Sequence, residues 1–309
     1  MMLPLLILQL LEAAGSPAPS VPIAPGVAQP IVNLGGVTGA HASNWTAFLS
    51  MGGRGIDTAL TYSDAVQNKT AAAIAHSGLP RSKIFLATKV PCCPNTFGTG
   101  YPGAHCGPKT PEFNGSITRD VARNLALLGP SPPDLTLLHW PCDTAEQTLT
   151  AWRGLEAALV AGKTRSIGVS NFNATLLREL LPQMKVKPAV NQCGHSVGHH
   201  TASQTAPSQR QGYGGGDDAT VAFCAEHGIQ YSAYSPLGGL SGLDIFKNPV
   251  VQKVAGAHKV SAAQVALRWL VQRNITIVTA ASNPEYIQED IDLFSFELSA
   301  AEMATLAAL

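Results

Sequence analysis

Four residues have the types and the placement to move a proton: Asp57 and Tyr62 in Gly55-Ile-Asp-Thr-Ala-Leu-Thr-Tyr62, Lys89 in Phe85-Leu-Ala-Thr-Lys89, and His139 in Leu137-Leu-His-Trp-Pro141. Each lies at or just past the end of a short apolar run. An acid, a phenol, an ammonium and an imidazole brought together would form a proton-transfer site. The phenol is the natural acid, because a nearby ammonium favours phenolate and draws the Tyr pKa down from about 10 toward neutrality. Asp57 would keep that ammonium charged. Taken singly, an Asp and a Lys make an ordinary buried ion pair and a His can be a satisfied core residue. Four such residues, gathered at the ends of three separate strand-like runs, point to a site.

These runs must be positioned by something larger. Strand-like segments are expected near Ile31–Gly36, Arg54–Ala59, Ile84–Lys89, Leu135–His139, Ser166–Ser170, Ala189–Gln192, Gln230–Ser235 and Thr276–Ala280, eight in all, alternating with helix-like stretches. Helical periodicity is clearest over Ala145–Gly162, Ala174–Gln183 and Ser261–Gln272, with Asn173 and Ser261 as caps and Gly78, Gly129 and Gly162 as stops. A further helix is expected from Glu297 to Leu309. Alternation of this kind predicts an α/β fold, a (β/α)8 TIM barrel with a parallel sheet, in one domain with rim-loop insertions. In such a barrel the four residues converge at the C-terminal rim, where barrel enzymes build their sites.

The order and wording of these phrases resemble the aldo-keto reductase family, which includes enzymes of the aldose reductase and prostaglandin F synthase type. The family's tetrad is an Asp, a Tyr five residues later, a Lys and a His. Gly168-Val-Ser-Asn-Phe172, Asn191-Gln192 and Tyr234-Ser-Pro-Leu-Gly238 follow in the family's order, and the resemblance runs from about Pro30 to the end. It implies reduction of aldehydes or ketones by hydride from a reduced nicotinamide, with Tyr62 as general acid, Lys89 and Asp57 tuning it, and His139 orienting the carbonyl. Tyr62, His139 and Trp140 would meet the substrate. Ser170, Asn171 and Gln192 would hold the nicotinamide carboxamide, Tyr234 would stack on its ring, Ser235 and Leu237 would follow the pyrophosphate, and Asp57, Asn283 and Glu289 complete the implied cofactor contacts.

One stretch departs from the pattern. Where the family carries Pro-Lys-Ser and, after Asn-Pro, an Arg that together grip the 2′-phosphate of NADP, this chain has Thr279, Ala280, Ala281 and Tyr286, and Asp290 replaces the usual Asn. Both cations are missing, and with them the charge-assisted bonds that favour a dianionic phosphate. NADP(H) is the cofactor the resemblance implies, and NAD(H) is admitted by the substitutions. Besides a working reductase, the sequence leaves open a nucleotide-binding or redox-sensing barrel with little turnover and an enzyme gated by its cysteines. Lys253 and Arg268, basic residues near this end, are expected on solvated helix faces.

The composition sets outer limits. At 309 residues with 45% hydrophobic content and a formal net charge of zero, the chain can bury a large core and offers no basic stripe for nucleic acid or an anionic membrane. The partner expected is a small carbonyl compound, no metal ion is expected, and a monomer is the form usual among relatives. Residues 1–30 are expected to be separate from the barrel of 31–309: an apolar run over Met1–Leu11, too short to span a bilayer and outlined like a signal peptide without its basic start, then a Pro-rich linker from Ser16 to Pro30. The compartment stays open between the cytoplasm and a secretory or organellar route. Cys92 and Cys142 would stand side by side just past Lys89 and His139, as a disulfide or as free thiols alongside Cys93 and Cys106. Cys193 and Cys224 read as buried small hydrophobes. Two Pro-, Gly- or Ser-rich stretches, Pro91–Gly115 and Gly194–Asp217, should overhang the site and wall it, the second as a flexible loop whose His195, His199 and His200 invite a metal only weakly.

Overall fold

The structure is a computed structural model and describes residues 19–36, 44–93, 116–205, 214–239 and 242–309. The apolar run at the start, residues 94–115 of the first insertion with Cys106 among them, and residues 206–213 of the second lie outside the described residues. Two short strands, β1 (Ser20–Ala24) and β2 (Val27–Pro30), open the chain. Eight more follow: β3 (Val32–Gly35), β4 (Gly55–Asp57), β5 (Phe85–Val90), β6 (Leu135–Leu138), β7 (Ile167–Ser170), β8 (Val190–Gly194), β9 (Gln230–Tyr234) and β10 (Thr276–Thr279). These eight are parallel and close on themselves in the order β10-β3-β4-β5-β6-β7-β8-β9. The (β/α)8 barrel expected from the alternation is the fold observed, and each strand lies within the segment expected for it, to within two residues.

The helices are α1 (Trp45–Ser50), α2 (Asp64–His76), α3 (Ile117–Leu128), α4 (Ala145–Val160), α5 (Ala174–Leu180), α6 (Ala202–Thr205), α7 (Asp218–Glu226), α8 (Pro249–His258), α9 (Ala262–Gln272), α10 (Pro284–Ile291) and α11 (Ala300–Ala307). Their ends follow from local chemistry. Thr144, Ser261 and Ser299 each form a reciprocal capping box with the Gln or Glu three residues on, and Asn173 accepts from the Leu176 amide. Such caps satisfy amides that the helix itself leaves unpaired.

Strand alternation sorts the apolar side chains into two cores. Outward positions such as Leu34, Ile56, Leu86, Val90, Leu138, Val169 and Ile277 pack under the helices. Inward positions Phe85, Ala87, Leu135, Leu137 and Val190 fill the lower barrel. Continuing the same period of two up the strands brings Asp57, Lys89, His139, Ser170, Gln192 and Tyr234 to the inward face at the upper end. The barrel's interior is therefore hydrophobic below and polar above. Close strand packing forces the small residues within it: a Cβ on Gly168 would lie 2.6 Å from the Val190 carbonyl oxygen, and one on Gly55 would strike the Asn33 side chain at 2.1 Å.

Two expectations are corrected here. Residues 20–30, expected to be linker, form an antiparallel hairpin whose Val27 is buried against Phe85, Ala87, Leu135 and Val190, so the hairpin plugs the floor of the barrel. Pro25 and Gly26 (φ 70°) make the turn, and Arg165 donates to the Gly26 carbonyl at 2.6 Å while also pairing with buried Asp134. The second correction concerns Gly194–Asp217. Its described residues are not a flexible rim loop: His195, Ser196, Val197, His199 and His200 are all buried. His195 Nδ1 meets the Gly216 carbonyl at 2.7 Å, His200 Nδ1 meets Asp218 at 2.9 Å, and Arg273 ties Asp218 down while lying over the Trp269 ring. Burial, with the nearby Arg273 charge, pushes the His195 pKa down to about 3. These imidazoles are packing groups between the sheet and α9. Among the described residues no cluster of three His, Cys, Asp or Glu side chains could hold a metal ion.

Candidate active site

A cavity of about 590 Å³ opens at the upper end of the barrel, lined by Asp57, Tyr62, Lys89, His139 and Trp140 on one side and by Ser170, Asn171, Gln192, Tyr234, Ser235 and Leu237 on the other. Parallel pairing staggers Asp57, Lys89 and His139 by two residues from one strand to the next, which keeps all three on the inward face, and sets Ser170 level with Gln192. Asp57 lies opposite Ala87 in β5, Lys89 opposite Leu137 in β6, and Ser170 opposite Gln192 in β8. Tyr62 comes from a single 3₁₀ turn, Leu60–Tyr62, that leaves β4, and Ser63 then starts α2 with φ 125° while accepting from the Val66 amide. Asn171 (φ 65°) and Ser235 (φ 51°) also hold positive φ at the cavity. Strain of about 1–3 kcal/mol at each such residue is tolerated where the surroundings fix it, and it concentrates at functional sites.

Polar contacts within the site are extensive. Lys89 Nζ, buried, bonds Asp57 Oδ1 and donates to the Thr58 carbonyl at 3.1 Å. Burial opposes its charge, but Asp57 and the hydrogen-bonded Tyr62 outweigh that and hold the ammonium above its ordinary 10.5. Its nitrogen lies 5.4 Å from the centre of the Tyr62 ring. The Tyr62 and His139 rings meet edge to face at 5.9 Å, and His139 stacks on Trp140 at 4.4 Å. Thr61 Oγ1 lies 2.9 Å from His139 Nδ1. Gln192 Nε2 donates to Asp57 Oδ2 at 2.8 Å, joining the two sides of the cavity. Asn171 donates to the His139 carbonyl at 3.0 Å and to Ser170 Oγ at 3.2 Å, and accepts from the Tyr234 hydroxyl at 2.8 Å.

A disulfide joins Cys92 and Cys142 directly behind this face. Of the two states left open for that pair, the bonded one is found, and Cys93 is disulfide-bonded as well. Trp140 Nε1 donates to the Cys92 carbonyl at 2.9 Å, so the indole that stacks on His139 is anchored to the staple. Cys193 and Cys224 are free and fully buried, as expected, and burial pushes the Cys224 thiol up to about 12.

The far end of the predicted cofactor track looks different. Ala280 and Thr279 line the cavity, but Asn283 and Glu289 do not. Asn283 caps α10 by accepting from the Glu285 amide at 3.0 Å, and Tyr286 on the same helix is 59% exposed. Asp290 is buried, and desolvation raises its pKa to about 7. Arg268, expected to be solvated, is instead buried in α9, donating to Gln272 at 3.1 Å and lying over Phe294. Lys253 is exposed, as expected. The described residues of the Gly194–Asp217 insertion contribute nothing to the cavity wall, contrary to expectation. Walls that sequence reasoning missed come from Gly35, Gly36, Pro236, Gly239 and Val278. Gly35 and Gly36 close β3, and their small size admits Val278 and Trp45 against the backbone. Thr61 was missed too, although its hydroxyl beside Tyr62 was a signal in plain view.

Residues 42–309 match the model of the Aldo/keto reductase family. The chain belongs to that family. It is 34% identical over 264 residues to an aldo-keto reductase of Mycolicibacterium vanbaalenii, covering 85% of this chain and 81% of that protein. It is 33% identical to morphine 6-dehydrogenase of Pseudomonas putida, over 94% and 90% of the two chains. Among solved structures, an aldo/keto reductase from Brucella melitensis superposes with a TM-score of 0.74 at 26% identity, covering 94% of this chain and 99% of that one. An aldo-keto reductase of Bombyx mori in complex with NADP superposes with a TM-score of 0.73 at 25% identity, covering 95% and 93%. This aldo-keto reductase is thus an oxidoreductase by family, and among its described residues no helix is long and apolar enough to cross a membrane.

Proposed function

We propose that the protein reduces the carbonyl of a small aldehyde or ketone to an alcohol with a nicotinamide dinucleotide as hydride source. The observation that carries the reading is the gathering of Asp57, Tyr62, Lys89 and His139 around one cavity. The residues on the opposite wall suit a nicotinamide: amides at Asn171 and Gln192 and a hydroxyl at Ser170 can meet a carboxamide, and Tyr234 offers an aromatic face held by its bond to Asn171. Ser235 and Leu237, on the same wall of the cavity, would follow the pyrophosphate. Asn283 and Glu289 are assigned to the adenine end. When bound, the reduced nicotinamide supplies a hydride to the carbonyl carbon.

The protein's own groups handle the oxygen. Tyr62 hands its phenolic proton to the oxygen as negative charge develops there. Lys89 stabilises the phenolate left behind, and Asp57 keeps Lys89 charged in a buried setting. His139 donates a hydrogen bond to the same oxygen and fixes its direction, with Trp140 as the adjoining wall for substrate. General acid catalysis by a positioned group contributes about 10²–10⁴-fold. Turnover assayed across a panel of aldehydes, quinones and aldoses with NADH and with NADPH tests the reading; no turnover on any member would leave a nucleotide-binding barrel in its place. With no Lys or Arg at Ala280, Ala281 or Tyr286, either dinucleotide is accepted, NADPH without the usual grip on its phosphate. On this reading the protein works as a monomer on a small carbonyl compound.

A further inference from the structure

We infer that Thr61 is a positioning residue that sets the tautomer of His139. The inference rests on the assignment of His139 as the donor to the substrate oxygen. That role requires a hydrogen on the ring nitrogen turned to the cavity. Nothing intrinsic to imidazole puts it there, since a neutral ring carries its proton on either nitrogen, and the partner of one nitrogen decides the state of the other.

Thr61 Oγ1 lies 2.9 Å from His139 Nδ1. This assigns Nδ1 to Thr61 and makes Nε2 the nitrogen that serves the substrate. The direction of the bond follows from what else the hydroxyl can reach. Thr61 is buried, and its hydroxyl has no other hydrogen-bond partner among the described residues. In a helical turn a Thr hydroxyl ordinarily donates back to a carbonyl three or four residues earlier. Here Thr61 makes neither bond: the Thr58 carbonyl accepts from Lys89 Nζ at 3.1 Å and the Asp57 carbonyl from the Gly36 amide at 2.7 Å. If Thr61 accepted from Nδ1–H, its own O–H would be buried without an acceptor, a loss of about 1–3 kcal/mol. Donation to Nδ1 avoids that loss and leaves the ring proton on Nε2.

The ring has little freedom to escape this arrangement. Trp140 stacks on one face, Tyr62 meets it edge to face, and Asn171 holds the His139 carbonyl at 3.0 Å. Thr61 and Tyr62 are consecutive in one 3₁₀ turn. A single turn of backbone therefore delivers the proton donor and fixes the hydrogen-bond donor beside it, so the two cannot drift apart in register.

The test is a ring-nitrogen NMR correlation on the full chain with ¹⁵N-labelled histidine, in complex with NADPH, with the His139 signal assigned by its loss in His139→Gln. Wild type should show the Nε2–H tautomer, Thr61→Val should lose that preference, and Thr61→Ser should keep it. In parallel, Thr61→Val should lower kcat for carbonyl reduction by about tenfold with little change in nucleotide affinity, and Thr61→Ser should stay within about threefold of wild type. An Nδ1–H signal in wild type overturns the inference without any variant having to fold, as does a Thr61→Val protein with unchanged tautomer. His139→Gln with full turnover would instead sink the role of His139 in the reaction, and leave the tautomer result standing by itself.

Discussion

The ends of β4, β5 and β6 and the end of β10 border one cavity, yet they are built differently. At the first three, nearly every functional atom is tied: Lys89 to Asp57 and Thr58, Gln192 to Asp57, His139 to Thr61, and the Trp140 indole to the loop stapled by Cys92 and Cys142. At β10 the chain runs out through Thr279 and two alanines to a helix whose Tyr286 points into solvent. A proton-transfer site needs fixed distances, because a proton moves only within hydrogen-bond reach. A site that merely adds affinity for a phosphate can lose its cations and leave the chemistry intact. The contrast separates the groups proposed to move the proton from those proposed to select a dinucleotide.

The sharpest way to break the contrast is at Tyr62. Tyr62→Phe should cut carbonyl reduction by about a thousandfold while nucleotide affinity, read by fluorescence quenching, stays within about twofold. A variant that keeps wild-type turnover would remove Tyr62 from the acid role and move the chemistry elsewhere in the cavity. Next in size is the staple. Replacing Cys92 and Cys142 together by Ser should cost about 4 kcal/mol in urea unfolding, since closing a loop with a sequence separation of 50 restricts the unfolded chain. Because Trp140 hangs on the Cys92 carbonyl and stacks on His139, kcat should fall several-fold as well. Unchanged stability and turnover would mean that the tied end does not depend on its disulfide.

How much of this could be seen in the sequence follows the same division. All eight barrel strands were readable because each is a short apolar run closed by a turn signal, and Asp57, Lys89 and His139 were readable because period-two alternation carries the inward face from Phe85 and Leu135 up to a polar top. The hairpin at residues 20–30 was hidden by its prolines, which mark a linker by composition. Only the Pro25–Gly26 turn flanked by Val and Ile residues hinted at paired strands. The Gly194–Asp217 stretch misled for a related reason. Its polar composition reads as a solvated loop, whereas His195 and His200 are buried and held through Nδ1 by Gly216 and Asp218, partners that no local pattern brings together. Arg268 failed in the same way, its charge suggesting solvent while its stem packs in α9.

A third test works at the β10 end through pH. Asp290 has a folded pKa of about 7 against an ordinary 3.8, so the folded protein keeps a proton there that the unfolded chain has lost. Stability from this group is complete below about pH 4 and falls as pH rises to about 7, beyond which the penalty is constant. Asp290→Asn should remove that slope and leave the protein more stable than wild type at pH 8, by about 2 kcal/mol once relaxation around the buried carboxylate is allowed for. A parallel pair of pH–stability curves for the two proteins would place the titration elsewhere.

The smallest effect expected is on dinucleotide choice, and it isolates the phosphate end from the rest. Wild type should bind NADH and NADPH with less than about tenfold preference, because neither Ala280, Ala281 nor Tyr286 can pair with a 2′-phosphate. Tyr286 is exposed, so a cation there acts through solvent and gains about 1 kcal/mol rather than the larger value of a desolvated pair. Tyr286→Arg should therefore tighten NADPH by about fivefold, leave NADH unchanged, and leave kcat with either dinucleotide where it was. The gain should shrink as salt is raised, since an exposed charge pair is screened. A hundredfold preference for NADPH in the unaltered protein would show that other groups already grip the phosphate, and a change in kcat on Tyr286→Arg would show that the two ends of the cavity are coupled.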